Sequence, residues 1–245
     1  WSHVDTWIHS ADAVVWVATQ GEKIVGFLGA SRPIGGYTWI RVAVFKDEAV
    51  VMPALMALWN PLKMALSALG ATHVYWMLFD DWLNTPVANV GFVPHDEVVT
   101  FVRYNAPILI KPSRYAIHSA NMNDVDRLYQ IDCQAFAPMW QMTIEDMRHA
   151  RRSAAVCTMA LDGDDVVGFQ LSTAHHRNGH LARLAVLPHM QGKGVGSALV
   201  SDLVRYFTRR HMDYVSVNTQ LSNLASQHLY TKLGFARNGY DMPVW

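Results

Sequence analysis

Short β-prone runs and longer helical stripes alternate along the 245 residues. Ala13 to Thr19 and Lys23 to Ala30 are rich in Val, Ile and Phe and flank Gln20-Gly21, the pattern of a β-hairpin. Tyr37 to Phe45 continues the meander after a break at Pro33 and Gly35-Gly36. Ser2 to Ser10 reads as a short helix. Ala49 to Leu69 reads as a long one, which Asn60-Pro61 is expected to kink or split because proline removes a helix hydrogen bond. Thr72 to Phe79 and Val98 to Tyr104 read as strands. Asn105 to Ser113, with Pro107 and Pro112, reads as a linker, although Ile108 to Ile110 also suits a strand or packed strap.

The second half repeats the style with clearer punctuation. Arg114 to His118 reads as a strand and Asn123 to Ala135 as a helix with Asn123 as candidate cap. Thr143 to Ala150 follows, with Thr143 and Asp146 spaced as a capping box. Ala154 to Leu161 and Val166 to Ala174 form a hairpin across Asp162-Gly163-Asp164. His180 to Leu187 is a strand that Pro188 stops. A glycine-rich turn, Gln191 to Gly196, then opens a helix from Gly194 to Arg210. Its apolar face is Val195, Leu199, Leu203 and Phe207, with Val200 and Val204 beside it. Tyr214 to Thr219 reads as a strand, Asn223 to Lys232 as a helix, and Phe235 to Trp245 as one or two strands pairing back.

The halves share an offset. GEKIVGF from Gly21 matches GDDVVGF from Gly163, and WIRVAV from Trp39 falls on LARLAV from Leu181, both 142 residues on. VGFV from Val90 matches LGFA from Leu233 at 143. Matches in one order at nearly one offset predict two copies of one fold. The fold class expected is α/β (mixed α+β), each copy a mostly antiparallel twisted sheet flanked by helices. The division expected is residues 1–105, a linker at 106–113, and 114–245. The opening strand and helix of the first copy are missing before Ser2, so that copy is read as incomplete or cut.

Composition narrows the classes. Hydrophobic residues make up 51% and charged residues 16%, enough apolar matter for packed cores. Twenty basic and twenty acidic residues leave no formal net charge, so nothing favours nucleic acid or an anionic membrane. The longest apolar run, Ala49 to Trp59, contains Pro53 and is too short to span a bilayer. No signal peptide is visible, and the chain begins with Trp1, as a trimmed product would. Cys133 and Cys157 have no metal spacing and read as free thiols of a cytoplasmic protein.

The glycine turn carries the chemistry. Glycines let backbone approach a ligand, and the first turn of a helix offers unpaired amides at a positive dipole end. Together these suit a pyrophosphate. The spacing Gln191-x-x-Gly194-x-Gly196 is neither a P-loop nor GxGxxG. With Leu184-Ala185-Val186 before it and Asn223, Ser226, Tyr230, Gly234 and Phe235 after it, the stretch resembles the GCN5-related N-acetyltransferases, the GNAT family. The resemblance is specific over about Val166 to Phe235 and architectural elsewhere.

That resemblance implies acetyl-CoA as cosubstrate, an amine acceptor and no metal. It assigns the pyrophosphate to backbone amides of Gln191, Gly192, Lys193, Gly194, Val195, Gly196 and Ser197. Lys193 is either a charge helper or an ordinary surface lysine. It assigns the pantetheine arm to the backbone of Leu184, Ala185 and Val186, and the general acid to Tyr230, whose alternative is simple helix packing. Asn223, with Ser226, would hold the pantetheine or cap the helix. The ribosomal-protein N-terminal acetyltransferase branch has a Glu twelve residues before the tyrosine. Here Asn218 stands there and cannot accept a proton, leaving a water chain or one of His175, His176 and His180 as base. The bland reading of these histidines is exposed loop residues.

The acceptor channel is expected from Phe136, Met139, Trp140 and Tyr240, which also suit a core. In the first copy, offset 142 places Ala49 to Ala54, without glycine, under the coenzyme turn, so that copy is read as degenerate. The function expected is acetyl transfer from acetyl-CoA to a primary amine of a peptide N-terminus or small molecule, by a cytoplasmic monomer or homodimer acting on neither nucleic acid nor membrane. The rival is a non-catalytic acetyl-CoA sensor or scaffold.

Overall fold

A computed structural model describes residues 4–106 and 113–245. In chain order the first half holds α1 (Val4–Trp7), β1 (Ala13–Gln20), β2 (Lys23–Ser31), β3 (Tyr37–Phe45), α2 (Glu48–Ala68), β4 (His73–Trp76), α3 (Asn84–Asn89) and β5 (Asp96–Tyr104). The second holds β6 (Ala116–Ser119), α4 (Val125–Ala135), α5 (Ile144–Ser153), β7 (Val156–Asp162), β8 (Asp165–His175), β9 (Asn178–Val186), α6 (Val195–Arg209), β10 (Tyr214–Gln220), α7 (Leu224–Lys232), β11 (Ala236–Arg237) and β12 (Met242–Val244). Only Val4–Trp7 of the helix expected at Ser2 to Ser10 is helical among the described residues. The expected linker stretch Ile108 to Ile110 lies outside them.

The chain forms two compact units. The N-terminal unit comprises residues 4–97 with Met242–Trp245, and the C-terminal unit Val98–Asp241. This differs from a cut at residues 106–113. Val98 to Tyr104 completes the C-terminal sheet, pairing with β10 along its whole length and with β11 on its other side. Arg103 fastens it there, donating to the carbonyls of Leu233, Tyr104 and Ala106. The last residues instead pair with Trp76 and bridge Met77 in the N-terminal unit.

In the N-terminal unit β1, β2 and β3 are antiparallel, β3 and β4 parallel, and α2 covers the sheet. The expected split at Pro61 does not occur: α2 is one helix of 21 residues with Pro53 and Pro61 inside it. A proline inside a helix costs about 3 kcal/mol. Burial of Val51, Leu55, Leu58, Trp59, Leu62 and Leu66 against the sheet returns roughly 1.5–3 kcal/mol each and outweighs it. By length and composition α2 could cross a membrane, and here it is the core helix of its unit.

The C-terminal sheet runs β11-β5-β10-β9-β8-β7-β6. Helices α4 and α5 cover one face. Helix α6 covers the other, where Tyr230 of α7 joins its core. Asn121, rather than Asn123, caps the entry to α4: its side chain accepts from the Asn123 amide at 2.8 Å and Asp124 reaches back to the Asn121 amide. The Thr143–Asp146 capping box of α5 forms as expected.

The repeat is visible in the registers. Both first hairpins turn through two residues, with Gly21 at φ 62° and Gly163 at φ 63°. The register shift at Ala18/Thr19 recurs at Ala160/Leu161, and the one at Gly29/Ala30 recurs at Leu171/Ser172. Both recur at the offset of 142 seen in the sequence (160 − 18; 171 − 29). Two irregularities kept at one spacing mark two copies of one sheet design.

Candidate active site

Strand β9 is the floor of the site. It pairs with β8 throughout, but with β10 only over Asn178 to Leu181 against Tyr214 to Val217. Beyond that point β10 follows β5 to Gln220 and β9 follows β8 to Val186. The cause is local: Leu171 faces Arg183 while Ser172 faces Leu181, so Ala182 is an extra, bulged residue. The bulge bends β9 away from β10. One backbone edge of Leu184 to Val186 is therefore open to an extended ligand arm. On the faces, Ala185 is buried under α4, while Leu184 and Val186 pack under α6.

The glycine turn closes the far end of this floor. Gly192 (φ 72°) and Gly194 (φ 92°) adopt left-handed backbone that L side chains rarely take. Gly194 caps α6, whose first helical bond runs from the Ala198 amide to the Gly194 carbonyl. The amides of Val195, Gly196 and Ser197 thus lie in the first turn, beyond reach of any helical acceptor. The Gln191 side chain holds the Val186 carbonyl at 3.1 Å, and the Tyr115 hydroxyl holds that of Lys193 at 3.0 Å.

A cleft of about 1010 Å³ opens beside this turn. Arg114, Lys193, Arg205 and Lys232 bring positive charge to it, and Asp202 is the acid among its lining residues. Sequence reading missed Arg114, Arg205 and Lys232. The signal for Arg205 was there: Ser197, Ser201 and Arg205 form a polar stripe at helical period on α6, opposite its apolar row.

Tyr230 is the one buried residue of α7, between the rings of Phe101 and Phe235 at 6.2 and 5.8 Å. Burial pushes its phenol well above the ordinary range, so it holds its proton at neutral pH. Asn223 caps α7, its side chain accepting from the Ser226 amide at 3.1 Å.

The histidines separate. His175 and His176 lie exposed at a turn, their rings 4.1 Å apart. His180 is instead half-buried in β9, and burial lowers its pKa. Its Nδ1 lies 2.9 Å from the Ser216 hydroxyl, which donates to the Gly179 carbonyl. A hydroxyl that donates to this carbonyl can accept from Nδ1–H, the tautomer that leaves the lone pair on Nε2. Asn218, exposed, follows Ser216 on the same face of β10.

Two of the residues expected for the acceptor side, Phe136 and Trp140, meet at Arg183. Phe136 lies beneath the Arg183 guanidinium at 3.6 Å, and the Trp140 carbonyl accepts from Arg183 at 2.7 Å. Arg183 in turn grips Asp132 of α4 through two bonds of 2.6 and 2.8 Å. Tyr240 is 70% exposed. Among the described residues no cluster of three or more His, Cys, Asp or Glu could hold a metal.

A sequence model described as "Acetyltransferase (GNAT) family" matches residues 125–235. Those residues form a GNAT acetyltransferase domain. The match takes in β9, the glycine turn, α6 and Tyr230. An uncharacterized N-acetyltransferase of Methanocaldococcus jannaschii is 26% identical over 120 residues, 49% of this chain and 76% of that protein. A mycothiol acetyltransferase of Amycolatopsis mediterranei is 28% identical over 135 residues, 49% of this chain and 45% of that protein. The chain therefore spans less than half of that second relative.

Solved structures extend the likeness to the whole chain. A GCN5-related N-acetyltransferase from Sphaerobacter thermophilus, 14% identical, superposes with a TM-score of 0.68 over 98% of this chain and 82% of its own. A tandem GNAT protein from the clavulanic acid biosynthesis pathway, 13% identical, gives 0.65 over 96% and 82%. At such identities the likeness is one of fold. It agrees with two GNAT-like sheets in one chain, of which the first has α2 with Pro53 where the second has the glycine turn.

Proposed function

We propose that the GNAT domain transfers an acetyl group from acetyl-CoA to a primary amine of a peptide N-terminus or a small molecule. The observation that carries this is the open edge of β9 running toward the glycine turn at the start of α6. In this reading the pantetheine arm lies along Leu184 to Val186, and the pyrophosphate meets the amides of Gln191 to Ser197. The cations of the adjoining cleft take the remaining phosphate charge. Asn223 and Ser226 border the arm from the start of α7.

The acceptor amine approaches from the sheet face that carries His180, Ser216 and Asn218. The amine nitrogen bonds to the thioester carbon and the carbon–sulfur bond breaks. A backbone amide of β9 polarises the carbonyl as the tetrahedral oxyanion forms. The amine's proton passes, directly or through water, to Nε2 of His180, neutral because it is buried. The departing thiolate takes the Tyr230 proton. No step calls on a metal. We place the protein in the cytoplasm, as a monomer or homodimer, with the first copy outside the coenzyme chemistry.

The test is a calorimetric titration with acetyl-CoA, on the wild type and on Gly194→Asp. The variant puts a carboxylate and a strained φ at the pyrophosphate turn. One site per chain, lost in the variant, supports the assignment. Two sites would give the first copy a coenzyme, and no binding would sink the reading.

A further inference from the structure

On the α5 side of the β9 bulge the sheet carries a second, smaller hollow. Met142, Ala150, Leu171, Thr173, Ala182 and Arg183 line it, with Ser153 at its exposed rim. Its volume is about 80 Å³ and its surface almost wholly apolar. A cavity of roughly 150 Å³ holds a benzene ring. This one suits a short aliphatic chain rather than a ring.

Its position is informative. From the pyrophosphate turn at 191–196, a coenzyme arm on the open edge of β9 passes Val186 and then Leu184. Its acyl end arrives at Arg183 and Ala182, the two β9 residues that wall the hollow. The charge beside it is already spent: Arg183 is bound by Asp132 on two sides and by the Trp140 carbonyl. The other Asp132 contact fixes Met142, whose amide donates to its carboxylate at 3.0 Å. The walls are therefore held, and an apolar hollow beside a paired guanidinium offers nothing to an ammonium group. That argues for the uncharged end of the acyl donor over the acceptor.

We propose that this hollow is an acyl-chain pocket, and that the domain takes acyl-CoA donors longer than acetyl, of about three or four carbons. The inference rests on the coenzyme placement of the preceding section. The transfer is otherwise unchanged: the carbon–sulfur bond of the thioester is exchanged for a carbon–nitrogen bond.

The test compares acetyl-, propionyl- and butyryl-CoA by calorimetry on the full chain. Burying two further methylenes predicts butyryl-CoA binding on the order of tenfold more tightly than acetyl-CoA. In Ala150→Leu, which fills the hollow, the preference should fall toward one. In Met142→Ala, which enlarges it, the preference should extend to hexanoyl-CoA. Equal affinities in the wild type, or a preference indifferent to both variants, would overturn the pocket while leaving coenzyme binding in place. Failure of every thioester to bind would instead remove the coenzyme assignment, and the pocket with it.

Discussion

Asp132→Ala tests the pair that joins α4 to the bulged strand. Asp132 has no exposed surface, and the Arg183 side chain is 11% exposed. The carboxylate accepts two bonds from the guanidinium and one from the Met142 amide. Removing it strands a cation among apolar neighbours and orphans a buried amide. Loss of one partner of a buried pair costs about 3–5 kcal/mol. For a unit of this size about 4 kcal/mol corresponds to a fall of roughly 10 °C in Tm. The assay is thermal unfolding of wild type, Asp132→Ala, Arg183→Met and the double variant Asp132→Leu/Arg183→Met. The double variant replaces both charges by apolar bulk and should recover most of the loss. A cost under about 1 kcal/mol for Asp132→Ala, or a double variant no better than the worse single one, would refute the reasoning. Since Met142 and Arg183 wall the proposed acyl hollow, the single variants should also lower the preference for butyryl- over acetyl-CoA.

Tyr230→Phe should lower kcat on the order of a hundredfold, with acetyl-CoA affinity held, in a steady-state amine assay; undiminished turnover would take the tyrosine out of the chemistry. Gly179→Ala should cost about 1–3 kcal/mol by denaturant unfolding. Its new Cβ would meet the buried Phe207 ring at 2.6 Å, and Phe207→Leu should recover part of the loss. His180 is disfavoured as a cation in the fold, so its folded pKa lies below the unfolded 6.5. The folded state should lose stability as pH falls through and below about 6.5. His180→Gln should remove that slope and the acid limb of the pH–rate profile; parallel stability curves would show that the histidine is not buried as described.

Much of this was legible where local chemistry decides structure. The hairpins at Gly21 and Gly163, the Thr143 cap and the glycine turn are set by residues within a few positions of each other. Pro61 does not split α2 because the penalty it carries is local, whereas the packing that outweighs it comes from strands elsewhere in the chain. Asn121 and Asn123 both suit a cap, and only the backbone path selects one. Nothing local marks Arg183, since its partner, Asp132, lies 51 positions away on another element. The division near residue 105 missed β5, because nothing within Val98 to Tyr104 says which sheet it joins.

The divided N-terminal unit bears on how the protein is made. During synthesis the N-terminal unit emerges first, yet Trp245, which exchanges backbone bonds with Trp76, comes only after the whole of the C-terminal unit. The first unit must wait, one segment short, until the second has been synthesised. The second cannot be expressed from residue 114 onward without opening a gap between β10 and β11. A cut placed between the two repeats in sequence would therefore part Tyr230 from Phe101, the ring beside it.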